Sequence, residues 1–305
     1  GHSSTFQDKY GNYWHIGTMT ISVKHMFERR LGLFLTFFDK DGEMYTYTGF
    51  GDFPFKMPTK KISGPEELFP NWMLLSYNKP VEVSSELADH PKKYAADEEI
   101  RTFWSAKTGN KGEWISMDLQ KECIVNAIQI NYAENETKFM GRQPNIYYQY
   151  LLEYSSDGKA WKTLADKTQN KTDVPHDYFE LTQPVKARYI KLTNVHMADG
   201  TFALAGLRVF GNGGGKAPSE VKSLSLKRSE TDRCVVDVNW PKIQGAVGYN
   251  IRYGTSKDKL YQNYQVLGTE QVTIRSLNAQ QKYYFTIDAF NENGITKGTS
   301  IIELN

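Results

Sequence analysis

The chain has 305 residues, of which 39% are hydrophobic and 24% are charged, and its net charge is +2. This composition is ordinary for a globular protein of two or three domains, and it gives no electrostatic signature of nucleic-acid or membrane-surface binding. No segment approaches the roughly 20 apolar residues that are needed to span a bilayer. The aromatic share of 13% favours strands, because aromatic side chains suit half-buried pleated surfaces.

Apolar and polar residues alternate along most of the chain, as they do in strands with one buried face. The clearest predicted buried faces are Ile115, Met117 and Leu119, then Val236, Val238 and Trp240, then Tyr283, Phe285, Ile287 and Ala289. Turn-forming pairs separate these runs, at Gly11-Asn12, Asp41-Gly42, Asp157-Gly158 and Asn293-Gly294. Short strands with frequent turns predict an all-β protein.

Two breaks divide the chain into three segments. The glycine-rich run 211–219 reads as a flexible linker, and the proline-containing stretch 58–70 is a weaker boundary. The domains we therefore expect span residues 1–57, 70–212 and 218–305. The first segment is too small to bury an adequate core alone, so we expect the chain to be the C-terminal part of a longer protein. Cys123 and Cys234 lie in separate apolar runs and predict two buried thiols.

The first segment contains an Asp-x-x-Gly-x-Tyr-Trp hairpin at 8–14 and a Phe-Asp-x-Asp-Gly-Glu hairpin at 38–43. With the Gly-His start, these motifs resemble the last blade of the five-bladed β-propeller of family 43 glycoside hydrolases. The resemblance implies that the catalytic carboxylates come from earlier blades. It also implies that His2 helps to hold a metal at the centre of the intact propeller and that Arg30 faces the sugar site there. For Arg30 a solvated charge is the alternative, and the acidic run 39–43 is interpreted as a turn.

The middle segment contains the sequences ADEEIRTFWSA, GEWISMDLQ, YLLEYSSDGKAWKTL, ARYIKL and ALAGLRVFG in order. It resembles the discoidin-like, galactose-binding-like jelly roll, which is the fold of family 32 carbohydrate-binding modules. The resemblance implies a structural calcium loop formed by Ala96, Asp97 and Thr102, which offer the hard oxygen ligands that calcium prefers. Two departures from the family pattern are Glu98 in place of a glycine and Gly206 in place of a glutamate. The alternative is an empty loop held by hydrogen bonds.

A sugar-binding site in this segment would use loops at one end of the jelly roll. The long polar stretch 133–149 supplies rings for stacking and a guanidinium for hydroxyl groups. The candidate carbohydrate-binding residues here are Phe139, Arg142, Tyr147 and Tyr148. The alternative is that this loop packs against a neighbouring domain. Trp104, Trp114 and Trp161 lie within strand motifs and are predicted to be core residues.

The last segment places Trp240 on an early strand, followed by GAVGYNIRYGTS and LNAQQKYYFTIDAFNENG. It resembles a fibronectin type III domain, an immunoglobulin-like sandwich. The resemblance implies that Tyr283 folds its hydroxyl group back onto the backbone, a structural role.

Together the segments predict an accessory, carbohydrate-associated region of a secreted bacterial glycoside hydrolase acting on plant or host polysaccharide, without catalytic residues of its own. A non-catalytic lectin-like or adhesion protein is the alternative, and a different enzyme, such as a sialidase or hexosaminidase, is a third hypothesis. We expect an oligosaccharide or polysaccharide partner, no nucleic acid, and a monomer. The expected location is secreted, periplasmic or cell-surface, and calcium is the one expected cofactor.

Overall fold

The computed structural model describes residues 2–20, 29–138 and 145–305. This part of the chain is all-β, which confirms the predicted fold class, with two short 3-10 helices at Pro65–Glu67 and Lys92–Ala95. Among the described residues, no helix has the length and apolar character that crossing a membrane requires. Two compact units are formed. Unit 1 comprises Gly1–Gly17, Gly32–Met73 and Gly215–Asn305, and unit 2 comprises Thr18–Leu31 and Leu74–Gly214.

The N-terminal strands form one four-stranded sheet in the order β1-β2-β3-β4, in which β1 pairs antiparallel with β2 and β3 antiparallel with β4. Its strands are β1 (Ser3–Gln7), β2 (Tyr13–Thr20), β3 (Arg29–Phe38) and β4 (Met44–Thr46). The first predicted turn is held by Asp8, whose carboxylate accepts hydrogen bonds from the backbone N–H groups of Tyr10 (2.8 Å) and Asn12 (2.9 Å) and from the Trp14 indole (3.0 Å). Gly11 takes the positive φ that this turn requires, at 89°.

Unit 2 is built on an eight-stranded sheet with the order β10-β9-β11-β8-β12-β5, in which β6 also pairs with β8 and β7 with β12. Its strands are β5 (Met73–Leu74), β6 (Val81–Val83), β7 (Trp104–Ser105), β8 (Trp114–Tyr132), β9 (Gln149–Ser155), β10 (Lys162–Asp166), β11 (His176–His196) and β12 (Ala203–Asn212). The predicted face of Ile115, Met117 and Leu119 is fully buried. Irregular register in the β8–β11 pairing lets these two long strands bend while they stay paired.

The last part of unit 1 contains two sheets. One has the order β13-β14-β17, and the other has the order β16-β15-β18-β19 with β20 also paired to β18. Their strands are β13 (Ser225–Arg228), β14 (Val236–Asn239), β15 (Gly248–Gly254), β16 (Gln262–Leu267), β17 (Gln271–Ile274), β18 (Tyr283–Asn291), β19 (Gly294–Thr296) and β20 (Ile302–Leu304). The predicted apolar faces on β14 and β18 are buried in one core cluster. The Tyr283 hydroxyl accepts a hydrogen bond from the Asn278 backbone N–H at 3.0 Å, as the sequence predicts.

Trp114, Trp161 and Cys234 are less buried than the sequence predicts. Trp104 is fully buried, but Trp114 and Trp161 are only half-buried, and the Lys191 ammonium lies 5.2 and 5.6 Å from their ring centroids. The aliphatic part of the Lys191 side chain shields these two rings from solvent, so the rings need not pack under another sheet. Neither cysteine is part of a disulfide bond, and Cys234 is half-buried rather than buried.

Candidate functional site

The strongest candidate surface in unit 2 lies where β9 begins. Gln149, the first residue of β9, pairs with His196 at the end of β11, and this register brings Tyr147 beside that histidine. The Tyr147 ring stacks on the His196 imidazole with centroids 4.3 Å apart and planes 26° apart. Both side chains are half-buried. The pair is therefore a pre-formed, partly accessible aromatic surface.

Tyr148 corrects the predicted set of surface residues. Its side chain is only 5% exposed and stacks on Tyr132 with ring centroids 4.4 Å apart. Its backbone carbonyl accepts a hydrogen bond from the Asn170 side chain at 2.9 Å. Successive residues of an extended segment point to opposite sides, so a Tyr147 that lies at the surface turns Tyr148 into the core.

Hydrogen bonds fix the start of the loop that follows β8. The Asn135 amide donates to the hydroxyl groups of Ser105 (3.1 Å) and Thr201 (2.9 Å). The Asp199 carboxylate accepts from the Lys138 backbone N–H at 2.5 Å. The loop therefore leaves the jelly roll from a fixed base. The two other predicted sugar-binding residues, Phe139 and Arg142, lie outside the described residues.

The predicted calcium loop brings its three residues together through internal hydrogen bonds. The Asp97 carboxylate accepts from the Thr102 hydroxyl at 2.7 Å and from the Glu99 backbone N–H at 3.0 Å. The Ala96 carbonyl accepts from the Asn78 backbone N–H at 2.7 Å. Calcium takes six to eight oxygen ligands, whereas Ala96, Asp97 and Thr102 offer three protein groups, only one of which is charged. Within the described ranges, no group of three or more His, Cys, Asp or Glu side chains has the geometry of a metal site. The residues therefore fit, at most, a weakly held ion with water as its other ligands.

A buried ion pair lies next to this loop. The Arg208 guanidinium on β12 contacts both carboxylate oxygens of Glu98, at 3.2 and 2.9 Å, and donates to the Gln129 side chain at 3.0 Å. Glu98 has a φ of 60°, in the left-handed region where the family pattern has glycine. The substitution at this position therefore supplies a carboxylate that binds a guanidinium within the fold.

The two residues expected to act in an intact propeller belong to the N-terminal strand region. His2 is exposed and directly precedes β1. Arg30 lies on β3, and its side chain is outside the described residues. Both roles stay predictions.

The acidic hairpin at 39–43 is a turn, as expected, and it is also an ion-pair cluster within unit 1. The Lys259 ammonium lies 2.9 Å from carboxylate oxygens of Asp39, Asp41 and Glu43. Burial raises the pKa of Asp39, but hydrogen bonds from Lys259 and from the Glu43 backbone N–H outweigh it and lower that pKa to about 2. The hydrogen bonds to Glu43, Asp41 and Asp39 raise the pKa of Lys259. These carboxylates are neutralised by a lysine, which makes them poor candidates for acid–base catalysis.

Sequence reasoning missed His196 and Arg208. The histidines have no ligand-like spacing in the sequence, and Arg208 lies within the strand motif ALAGLRVFG, whose other residues are mostly apolar. No sequence signal pointed to His196, because its contact with Tyr147 depends on the pairing of β9 with β11. For Arg208 the signal was the missing glycine at Glu98, since a carboxylate in a packed loop requires a cation.

Comparison with known proteins identifies one part of the chain. Residues 80–206 match the F5/8 type C domain. No curated protein matches the chain significantly. Among solved structures, the chain is similar to a chitosan-binding module from a chitosanase/glucanase of Paenibacillus sp. IK-5, with 23% identity, 46% of this chain and 99% of that chain covered, and a TM-score of 0.38. It is also similar to the family 32 carbohydrate-binding module of NanJ from Clostridium perfringens, solved in complex with galactose, with 21% identity, 46% and 98% coverage, and a TM-score of 0.37. Residues 80–206 carry a discoidin-like F5/8 type C domain.

Proposed function

We propose that this chain is a carbohydrate-binding accessory region and that residues 80–206 hold the sugar. The observation that carries the proposal is the Tyr147–His196 pair at the loop end of the F5/8 type C domain. Aromatic faces provide the apolar surface against which the C–H face of a sugar ring packs. Arg142, in the same loop, is the proposed donor to sugar hydroxyl groups.

A fixed loop base supports binding of a sugar at this position. The hydrogen bonds from Asn135 to Ser105 and Thr201 hold the first part of the loop, and strand pairing at Gln149 holds its other end. A surface that is ordered before binding loses less conformational entropy when it orders a ligand. Tyr147 is therefore the residue whose removal would reduce binding most.

The proposed parent is a secreted glycoside hydrolase of the family 43 type. The four-stranded sheet β1–β4 supports this, because a propeller blade is also a four-stranded sheet of consecutive strands. All five residues of β1 are exposed, and so are the large apolar side chains of Phe6, Phe38 and Met44, at 45%, 48% and 50%. Exposed apolar side chains grouped on one small sheet are typical of a surface that packs against further protein.

We also propose that residues 218–305 are a fibronectin type III spacer. The two sheet orders support an immunoglobulin-like sandwich, and the hydrogen bond from Asn278 to the Tyr283 hydroxyl supports the tyrosine role expected in that family. The blade proposal has a direct test. The gene upstream of Gly1 would encode roughly 250 residues with repeated blade patterns. An upstream signal peptide alone would instead favour the lectin-like alternative.

Calcium at Ala96, Asp97 and Thr102 is proposed only as a structural ion. The bound ion would neutralise the Asp97 carboxylate and tie the loop down. Its contribution to stability would be small, because Gly206 supplies no second carboxylate.

The chain is proposed to be non-catalytic. Glycoside hydrolysis requires two carboxyl groups placed across the glycosidic bond, and the acidic cluster at 39–43 is bound to Lys259. We expect no release of nitrophenol from aryl arabinosides, xylosides or galactosides above a heat-treated control. Turnover clearly above that control would contradict the proposal.

A printed glycan array tests sugar binding directly. The intact chain should bind a subset of glycans, and the Tyr147→Ala variant should lose that signal. Tyr178→Ala is the matched control, because Tyr178 is an exposed tyrosine of the same unit, on β11. Equal signals from the intact chain and from Tyr147→Ala would refute the assignment of the site.

A further inference from the structure

Unit 1 contains a cleft that is separate from the F5/8 type C domain. Its volume is about 570 Å³, within the range of roughly 300–1,000 Å³ that is typical of small-molecule sites. One wall comes from the segment 47–73 and the other from residues 217–297. Both walls belong to the same compact unit.

The cleft has an aromatic lining. Phe50 and Phe53 are buried and pack edge-on against Phe290, with ring centroids 5.2 and 6.4 Å apart. Phe69 and Trp72 also line the cleft and are half-buried. Rings that are held in place but remain partly accessible can pack against an apolar ligand face without a large loss of side-chain entropy.

The charged groups of the lining are paired with one another. Arg252 forms two hydrogen bonds with Asp288, at 2.8 and 2.9 Å, and Lys297 lies 2.8 Å from a Glu66 carboxylate oxygen. Each of the two basic side chains described in the lining therefore has a carboxylate partner that also lines the cleft. The described lining therefore favours a neutral ligand, and the Lys56 ammonium lies 4.5 Å from the centroid of the Trp72 ring beside it.

A buried acceptor lies in the wall of the cleft. Asn250, on β15, is 1% exposed and lines the cleft. Its amide nitrogen donates to the Asn263 side chain at 3.3 Å, but its carbonyl oxygen accepts no hydrogen bond from any described residue. A buried acceptor without a donor costs free energy, so this site favours a ligand that brings an O–H or N–H group.

We infer that this cleft is a second carbohydrate site, which binds one or two rings of a neutral sugar. A sugar ring combines an apolar face for Trp72 and Phe69 with hydroxyl donors for the Asn250 carbonyl. The paired charges at Arg252 and Lys297 remain available as hydrogen-bonding groups while the site stays neutral. This site goes beyond the proposed function of residues 80–206, because it uses none of them.

The test is calorimetric titration of the full-length Tyr147→Ala variant, which removes the proposed site of the F5/8 type C domain. The probes are lactose, cellobiose, xylobiose and chitobiose, each up to about 50 mM to cover millimolar affinities. We expect saturable binding of at least one probe. Adding Trp72→Ala or Asn250→Leu should weaken that binding at least tenfold, while Tyr264→Ala, an exposed tyrosine of β16, should not change it.

Each outcome bears on the inference. Asn250→Leu keeps the branching and the number of heavy atoms, and it removes both the orphan acceptor and the long 3.3 Å bond to Asn263, so a thermal melt should show it about as stable as the parent. A purely structural role would lower its melting temperature and leave affinity unchanged. If that variant does not fold, Trp72→Ala decides. Absence of binding of all four probes in the Tyr147→Ala background, or an affinity unaffected by Trp72→Ala, would overturn the second site, whatever the array shows for Tyr147.

Discussion

Replacing Arg208 by leucine should destabilise unit 2 strongly, because the change takes a guanidinium away from a buried carboxylate. The Arg208 and Glu98 side chains are only 9% and 13% exposed. Removing one member of a buried ion pair costs about 3–5 kcal/mol. With a urea m-value of about 2 kcal/mol per M, the unfolding midpoint should fall by roughly 1.5–2.5 M.

The chain offers a matched control for this change. Arg188 also makes two hydrogen bonds to a single carboxylate, that of Asp118, at 2.8 and 2.9 Å. Those side chains are 40% and 26% exposed, so Arg188→Leu should cost about 0–1 kcal/mol. The geometry of the two pairs is similar, and the difference in their burial should determine the difference in cost.

Hydrogen exchange read by mass spectrometry across a urea series is the assay, because peptides from β8 and β12 report unit 2 separately from unit 1. The double variant Glu98→Gln with Arg208→Leu should recover most of the loss, since it buries no charge. Equal midpoints for Arg208→Leu and Arg188→Leu would refute the reasoning from burial. A double variant no more stable than Arg208→Leu would show that the loss comes from packing, not charge.

Three further predictions concern other parts of the chain. Adding 5 mM calcium to chelator-treated protein should raise the melting temperature of unit 2 by about 2–4 °C for a Kd near 1 mM. Asp97→Asn should abolish the shift. An unchanged melting temperature would favour the empty loop. Burial raises the pKa of Asp8, but the hydrogen bonds from Trp14 and Asn12 outweigh it and lower that pKa from 3.8 to about 2. The contribution of Asp8 to the free energy of unfolding is therefore complete above about pH 4 and is lost as the pH falls towards 2. Asp8→Asn should flatten the acid limb of the unfolding transition followed by Trp14 fluorescence. An identical acid limb would contradict this. Tyr283→Phe should cost about 1 kcal/mol in a urea melt, because it removes an acceptor from a backbone N–H group, and no change in midpoint would contradict that role.

The strand faces and turns could be predicted from sequence because they depend on local pattern. Alternation at Ile115, Met117 and Leu119 places all three side chains on one face, whatever the strand pairs with. Asp8 and Gly11 form a turn from bonds within a few residues of each other. The F5/8 type C domain could be recognised for the same reason, since its motifs are strands and turns in a fixed order.

The side-chain partners across the fold could not be predicted, because they depend on register between distant strands. Arg208 meets Glu98 across 110 positions, and Lys259 meets Asp39 across 220 positions. A one-residue shift in pairing would turn each partner to the other face. The same limit applies to Tyr147 and Tyr148. The sequence predicts both as sugar-binding residues, and only the structure shows that Tyr148 is in the core.

The central claim is that the F5/8 type C domain binds sugar at Tyr147. The most direct measurement is a crystal structure of the chain with the strongest ligand from the glycan array. We expect electron density for a sugar ring packed within about 4–4.5 Å of the Tyr147 ring. Full occupancy of the ligand at another surface of residues 80–206, with none beside Tyr147, would contradict it.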